Sequence, residues 1–455
     1  MKHYDVIIIG GGPAAIIAGV SAKKQYPGKK VLMLKEEAKG LVPCGIPYVF
    51  HELKGPENNQ MGPKPFVDAG GEVLVDPAVE VNTGSKTVTV KSGQTFTYEK
   101  LIFATGSVPT VPDFIPGYDL SGVFYVKKSY NYISTMYQEL ADKKNIVVIG
   151  GGFIGSEIAE QIAKEDNKNV TIVEGESNCL CRAFSTELCV IATEQLKSMG
   201  VKVYTSTLVK EITGENGRVK TVKLDNGEEL ETDAVIFSIG YRPNTEIAKK
   251  AGLSLNKIGA IIVDNYERTA MPDVCAIGDC SQTIGFLTGN LDNVMLASTA
   301  TAEARVLGYN LFGVRVRKNF IGTLGIFSTR INGLAMAAAG LNDKSGKQAN
   351  IDFIEAKFSD FDTHPSNFSE TQPIACKLYV SPSNGSILGG EAWGSKIAGT
   401  LINIIGMAIQ KEVTVYELIS YQIGTHPLLT AAPTKPVIVK AAEAAIAQIN
   451  ARHKN

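Results

Sequence analysis

The segment 5-DVIIIGGGPAAIIAGVSAKK-24 is an apolar run that ends in glycine and continues into a helix-like pattern, and 145-NIVVIGGGFIGSEIAEQIAK-164 repeats the plan about 140 residues later. A short apolar run of this kind suits a strand buried on both faces of a parallel sheet. In the first unit Gly10 allows a tight turn, Gly12 lets the backbone approach a pyrophosphate, and small Ala15 lets the helix pack close to the strand. The loop is completed by Pro13 and Ala14, and the helix N-terminus faces phosphate charge. In the second unit Gly150, Gly152 and Gly155 make a full G-x-G-x-x-G, completed by Phe153 and Ile154. Each unit leads to a further strand and then to acid. The strand 31-VLML-34 precedes 35-KEE-37, where Glu36 is the expected ribose-binding carboxylate; 170-VTIVE-174 ends in Glu174. A carboxylate at that place favours NADH over NADPH, because it repels a 2′-phosphate. Two complete units in one chain predict two dinucleotides, a tightly bound flavin and a diffusible nicotinamide.

A chain of 455 residues is too long for one core and suggests roughly three domains. Its net charge of −1 gives no electrostatic reason to bind nucleic acid or an anionic membrane. The apolar run 400-TLINIIGMAI-409 is far too short to span a bilayer, and 5-DVIIIGGG-12 runs into turn glycines rather than a cleavage site. The seven cysteines are an odd number spread thinly, which predicts a reducing, cytoplasmic setting rather than a disulfide framework. Cys179 and Cys181 form C-x-C, and Cys275 and Cys280 form C-x4-C. Neither has zinc spacing and no histidine is near, so no metal is expected and these read as buried or half-buried free thiols.

Cys44 is different. It stands in 41-LVPCGIPYVF-50, between two prolines and beside Gly45, just past the first glycine loop. The prolines stiffen the loop, and Gly45 is expected to give the backbone room beside a ring. In these motifs the chain resembles the pyridine nucleotide-disulfide oxidoreductases over essentially its whole length. The segment 101-LIFATGSVP-109 is similar to the family's A-T-G stretch, 234-AVIFSIGYRPNT-245 to its glycine turn and R-P-N, and 273-DVCAIGDC-280 to its flavin motif. The resemblance implies an α/β fold with two Rossmann-like dinucleotide-binding domains and a C-terminal α+β dimerisation domain. The implied boundaries are 1–115 and 243–321 for FAD, 116–242 for NAD(P)H, and 322–455 for a homodimer interface. It further implies cofactor contacts from Val79, Ala104, Thr105, Gly106, Gly240 and Ala297, with Asp279 on the ribityl chain. The segment from 292 to 313 should begin a helix pointing its positive end at the flavin.

Dithiol members of the family carry C-x4-C or C-x2-C here. Counting from Cys44, those partners fall at Val49 and Pro47, so an intrachain dithiol is excluded. The single cysteine is similar to that of the coenzyme A-disulfide reductase, NADH oxidase and NAD(P)H-dependent persulfide reductase group. The resemblance implies hydride from NADH to FAD and electrons from there to Cys44, working as thiolate against a small-molecule thiol substrate. Three acceptors compete: coenzyme A disulfide, coenzyme A persulfide or polysulfide, and dioxygen. Lys23, Lys24, Lys29, Lys30 and Lys64 are candidates for coenzyme A phosphates, or a solvated face. Glu157 resembles the family glutamate beside the nicotinamide, and reads equally as a first-turn acid on the helix dipole. In 420-SYQIGTHPLLTAAP-433, His426 is similar to the base of dithiol members, although residues 428–433 hold no acid to partner it; it reads equally as a surface or interface histidine. Tyr421 is a second candidate proton donor. An electron-transfer partner that reduces a protein would need no Cys44, which ranks that reading last.

Overall fold

The computed structural model describes residues 1–316 and 320–454. It divides into two compact units, one of Met1–Lys144, Thr213–Lys220 and Asp233–Thr323, the other of Asn145–Ile212, Thr221–Thr232 and Leu324–Asn455. The fold is mixed α/β.

The first unit is built on a seven-stranded sheet. Glu72–Val75, Val31–Lys35, Lys2–Ile9 and Thr95–Phe103 run parallel in that spatial order, and Val274–Ala276 pairs parallel with Thr95–Phe103. Thr87–Val90 and Ala78–Asn82 add an antiparallel margin. Val31–Lys35 is buried at all five positions, the pattern of a strand covered on both faces. One cover is the helix Pro13–Gln25, which packs along Ala297–Asn310. That crossing depends on small residues: a Cβ on Gly308 would stand 2.5 Å from Ser21 Cβ and 3.0 Å from the Ala18 carbonyl oxygen.

In the second unit Asn145–Ile149, Asn169–Val173 and Lys202–Tyr204 form parallel pairs, with helices Phe153–Ala163 and Thr186–Ser198 following the first two. Its C-terminal part is a five-stranded antiparallel sheet in the order Phe327–Ile331, Leu334–Gly340, Ile387–Gly394, Pro373–Val380, Ile354–Phe361. The helix Ala398–Gln410 packs on Leu334–Gly340 and Ile387–Gly394, and Val437–Arg452 packs on Ile354–Phe361 and Pro373–Val380. The segments expected as strands at 375–381 and 386–394 and as a helix at 396–410 are found as such, within two residues at each end. Ala398–Gln410 buries Ile402, Ile405 and Ile409 yet exposes Ile404 and Met407, and beyond it Leu428 and Leu429 are also exposed. Among the described residues no helix is long and apolar enough to cross a membrane, and no group of three or more potential ligands could hold a metal ion.

Candidate active site

Both glycine loops are built the same way. Gly10 N donates to Leu34 O at 2.9 Å, and Gly150 N donates to Val173 O at 2.8 Å, so each loop leaves its strand tied to the neighbouring one. Gly10 has φ +129°, and a Cβ there would stand 2.1 Å from the Ala104 carbonyl oxygen. At Gly12 the situation reverses: a Cβ would meet nothing within 4 Å, no side chain caps the helix, and its first turn holds no acid. The donors of Pro13–Gln25 therefore face open space that suits a pyrophosphate. Gly152 repeats the arrangement, with no side-chain cap and nothing within 4 Å of its Cβ position. The middle glycines, which the sequence reading passed over, are demanded by packing. A Cβ on Gly11 would stand 2.9 Å from Lys35 Cβ, and one on Gly151 would stand 2.8 Å from Cys179 Sγ.

Of the two acids after Val31–Lys35, Glu37 accepts from Ser129 Oγ at 2.5 Å and from Tyr130 N at 2.9 Å. It thereby caps the helix Tyr130–Leu140, while Glu36 is exposed at the strand end. The A-T-G and R-P-N stretches are joined. Thr105 Oγ1 donates to Asn244 O at 2.5 Å, Asn244 N donates to Gly106 O at 2.9 Å, and Ser107–Pro109 pairs with Tyr241–Pro243. Gly106 and Gly240 turn with φ +68° and +106°, and Val79 lies half exposed in Ala78–Asn82.

Asp279 Oδ2 accepts from Ser107 Oγ at 2.7 Å and from Lys128 Nζ at 2.6 Å. Sequence reasoning missed Lys128 as the partner of Asp279, because 127-KK-128 looks like an ordinary solvated pair. The preceding Gly278, with φ +71°, packs so that a Cβ would stand 3.1 Å from Ala14 Cβ and 3.4 Å from Ala300 Cβ. Its N–H donates to Glu303 Oε2 at 2.7 Å. Burial, above all, pushes the Glu303 carboxyl up to about 8, and the nearby Asp279 charge acts in the same direction. Glu267 is raised well above the ordinary range, again chiefly by burial, with the Glu303 charge acting in the same direction. The helix Ala297–Asn310 opens without a side-chain cap and without an acid in its first turn.

Cys44 occupies the one-turn helix Pro43–Gly45 and is exposed. Ile46 and Val49 beneath it are buried, so the turn rests on core. A Cβ on Gly45 would stand 2.0 Å from Asn59 Oδ1, so the glycine makes room for a side chain of the same unit. Of the other cysteines, Cys179, Cys189, Cys275, Cys280 and Cys376 are buried and Cys181 half-buried, all as free thiols. Burial pushes the Cys275 and Cys376 thiols up to about 12, which keeps them protonated and unreactive.

Three of the five candidate lysines have internal partners. Lys23 is buried and donates to Pro27 O and Lys29 O at 3.0 and 2.9 Å. Lys29 pairs with Asp5 and Glu99, and Lys64 with Asp68. Lys24 and Lys30 are exposed.

In the second unit Glu174 Oε2 accepts from Gly151 N at 2.5 Å and Oε1 accepts from Glu176 N at 2.7 Å. This is the expected acid held against the expected loop. Gly155 is buried inside Phe153–Ala163, and Ile154 is half-buried. Phe153 packs edge-on to Phe184, with ring centroids 5.7 Å apart. Glu157 Oε1 accepts from Thr329 Oγ1 at 2.7 Å. His426 is exposed and its Nδ1 accepts from Leu428 N at 3.2 Å, which leaves Nε2 carrying the proton in the neutral ring. The turn is closed by Leu429 N to His426 O at 3.0 Å and fastened by His364 N to Pro427 O at 3.0 Å. Tyr421 is exposed.

Residues 4–304 match the model of the family described as pyridine nucleotide-disulphide oxidoreductase, and residues 326–437 match that family's dimerisation domain. An NAD(P)H coenzyme A polysulfide/persulfide reductase of Pyrococcus horikoshii is 32% identical over 398 residues, 86% of this chain and 88% of the relative. Among solved structures, a NAD-dependent persulfide reductase from A. fulgidus superposes with a TM-score of 0.89 at 26% identity, over 98% of this chain and 84% of that one. A water-forming NADH oxidase from Lactobacillus brevis, bound to NADH, also gives 0.89 at 25% identity, over the whole of both chains.

Proposed function

This chain belongs to the pyridine nucleotide-disulphide oxidoreductase family, and on that premise we propose that Cys44 gives this FAD-dependent NAD(P)H oxidoreductase its reaction, the reduction of coenzyme A persulfide or coenzyme A disulfide. The carrying observation is the exposed thiol on a proline-bounded turn with no second cysteine between residues 41 and 61. A thiol in that position takes its redox partner from the substrate. The names of the Pyrococcus and A. fulgidus relatives support a sulfur acceptor.

The residues of the first loop fit FAD: an uncapped helix N-terminus over open space at Gly12, and a carboxylate at Asp279 anchored through one oxygen. Bound there, FAD supplies a ring that takes hydride from the nicotinamide and yields an electron pair to sulfur. Gly10, Gly12, Pro13, Ala14 and Ala15 would hold its pyrophosphate, Glu36 and Val79 its adenosine end, Ala104, Thr105 and Gly106 its middle, and Ala297 its ring end. FAD is assigned to 1–115 and 243–321, NAD(P)H to 116–242, and a homodimer interface to 322–455. Gly150, Gly152, Phe153, Ile154 and Gly155 would receive the NAD(P)H pyrophosphate, with Glu174 on the ribose and Glu157 toward the nicotinamide; Gly240 is a further cofactor contact. Because Glu174 is a carboxylate, NADH is the preferred donor.

Cys44 attacks as thiolate. With a coenzyme A persulfide it takes the outer sulfur and releases the coenzyme A thiolate, and the balance is NADH + H⁺ + CoA-SSH → NAD⁺ + CoA-SH + H₂S. With coenzyme A disulfide it forms a mixed disulfide, and reduction releases the second coenzyme A thiol. His426 is assigned as proton donor to the leaving thiolate, acting as imidazolium once Nδ1 takes up a proton and gives up the Leu428 N–H, with Tyr421 as the alternative donor. Lys24 and Lys30 remain for the coenzyme A phosphates. The second reading is an NADH oxidase, in which dioxygen is the acceptor and Cys44 cycles through a sulfenic acid; the Lactobacillus structure favours it. Cys44→Ser is the direct test. It is expected to keep its flavin spectrum and to lose turnover with sulfur substrates by about 10³-fold or more, as removal of a covalent nucleophile does. Full activity in that variant would remove Cys44 from the reaction.

A further inference from the structure

The strand Gly40–Leu41 pairs antiparallel with Gln60–Met61, Leu41 opposite Gln60. The next rung is Val42 N to Asn59 O at 3.0 Å. There the ladder stops, because Pro43 has no N–H and the chain turns: Gly45 N donates back to Val42 O at 3.0 Å, closing the turn that carries Cys44. Asn59 Nδ2 donates to the same Val42 O, also at 3.0 Å. One carbonyl oxygen thus takes a donor from the thiol's own turn and a donor from Asn59. The other end of the amide lies against the turn as well. A Cβ on Gly45 would stand 2.0 Å from Asn59 Oδ1 and 2.8 Å from Cγ. Gly45 lies outside the left-handed region, so its backbone accepts any residue and the Asn59 amide is what excludes a side chain. Asn59 itself is 4% exposed, too buried to be a solvated loop residue.

We propose that Asn59 is a positioning residue for Cys44: its amide pins the Val42 carbonyl on one side and braces Gly45 on the other, fixing where the thiol between them points. A short one-turn helix has few hydrogen bonds of its own, so an external clamp sets its geometry. This deepens the reading of Cys44 as the redox thiol and rests on it for its meaning.

The test is the alkylation of Cys44 by iodoacetamide in the flavin-loaded protein, across pH, followed at the Cys44 peptide by mass spectrometry. Asn59→Ala is expected to slow the reaction about fivefold, the effect of one well-made hydrogen bond. Its pH midpoint should also shift, as the thiol loses its fixed place. Asn59→Asp keeps the shape without the donor and should behave alike, which covers the case in which the alanine variant sheds flavin. Gly45→Ala should reproduce the defect by pushing the amide off Val42, and Gly45→Ala with Asn59→Ala should be no worse than Asn59→Ala alone. Unchanged rate and midpoint in both Asn59 variants, or additive effects in the double variant, overturn the proposal. Alkylation reports the thiol whether or not turnover uses it, so a failure here is distinct from a failure of the Cys44 reading, which Cys44→Ser turnover decides.

Discussion

Glu303 is a carboxyl acid sealed in the unit that carries the first loop, and it receives the Gly278 N–H beside Asp279. Its ionisation is pushed up to about 8, chiefly by burial, against about 4.3 for an unfolded glutamate. A raised carboxyl binds its proton more tightly in the folded state, so the fold gains from it below about pH 4.3 and loses that gain as pH rises toward 8. Glu303→Gln, which cannot ionise, should flatten this dependence. The wild-type melting temperature should fall more than the variant's between pH 5 and pH 8.5, by about a few degrees; parallel curves would show that Glu303 does not titrate there. At this scale the sequence was legible where chemistry is local. Cys44 between two prolines and Glu174 at a strand end announce themselves. Glu303, Lys128 and Asn59 do not, because their partners lie 25, 151 and 17 residues away along the chain. The neighbour that requires a glycine at position 45, Asn59, is likewise not visible until the chain folds.

The two glycine loops show which part of an element serves the fold and which serves the ligand. Gly10 is required by the protein itself, for its φ and for the Ala104 carbonyl oxygen 2.1 Å from its Cβ position; Gly12 is not, having φ −81° and open space. Gly10→Ala should therefore lower both thermal stability and flavin content. Gly12→Ala should leave the apoprotein's melting temperature within about 2 °C, as for an unstrained surface change, while flavin affinity drops. Equal losses of apoprotein stability in both would contradict this division. These elements were readable in advance because each apolar run is buried on both faces and stops at a glycine, a pattern with few other solutions. What periodicity could not give was Gly11 and Gly151, whose small size answers to Lys35 and to Cys179 across the loop. The helix after residue 292 was foreseen, but its first turn begins at Ala297, after the short strand Leu291–Asp292.

For the whole molecule, the exposed Ile404, Met407, Leu428 and Leu429 lie in a region whose matched family model is a dimerisation domain. Burying such a set in a homodimer removes it from water, and the His426 turn belongs to the same segment. The overall architecture was legible because the duplicated strand–loop–helix plan admits little else. The electron acceptor was not, because the same single-cysteine pattern goes with disulfide, persulfide and dioxygen reduction. Whether sulfur is the acceptor is decided by anaerobic NADH consumption of the flavin-loaded protein with coenzyme A persulfide, coenzyme A disulfide or buffer, against an aerated control. Fast turnover with a sulfur substrate, sulfide or free coenzyme A as product, and slow turnover in air alone are expected. Fast consumption only in air would contradict that expectation and make this chain an oxidase.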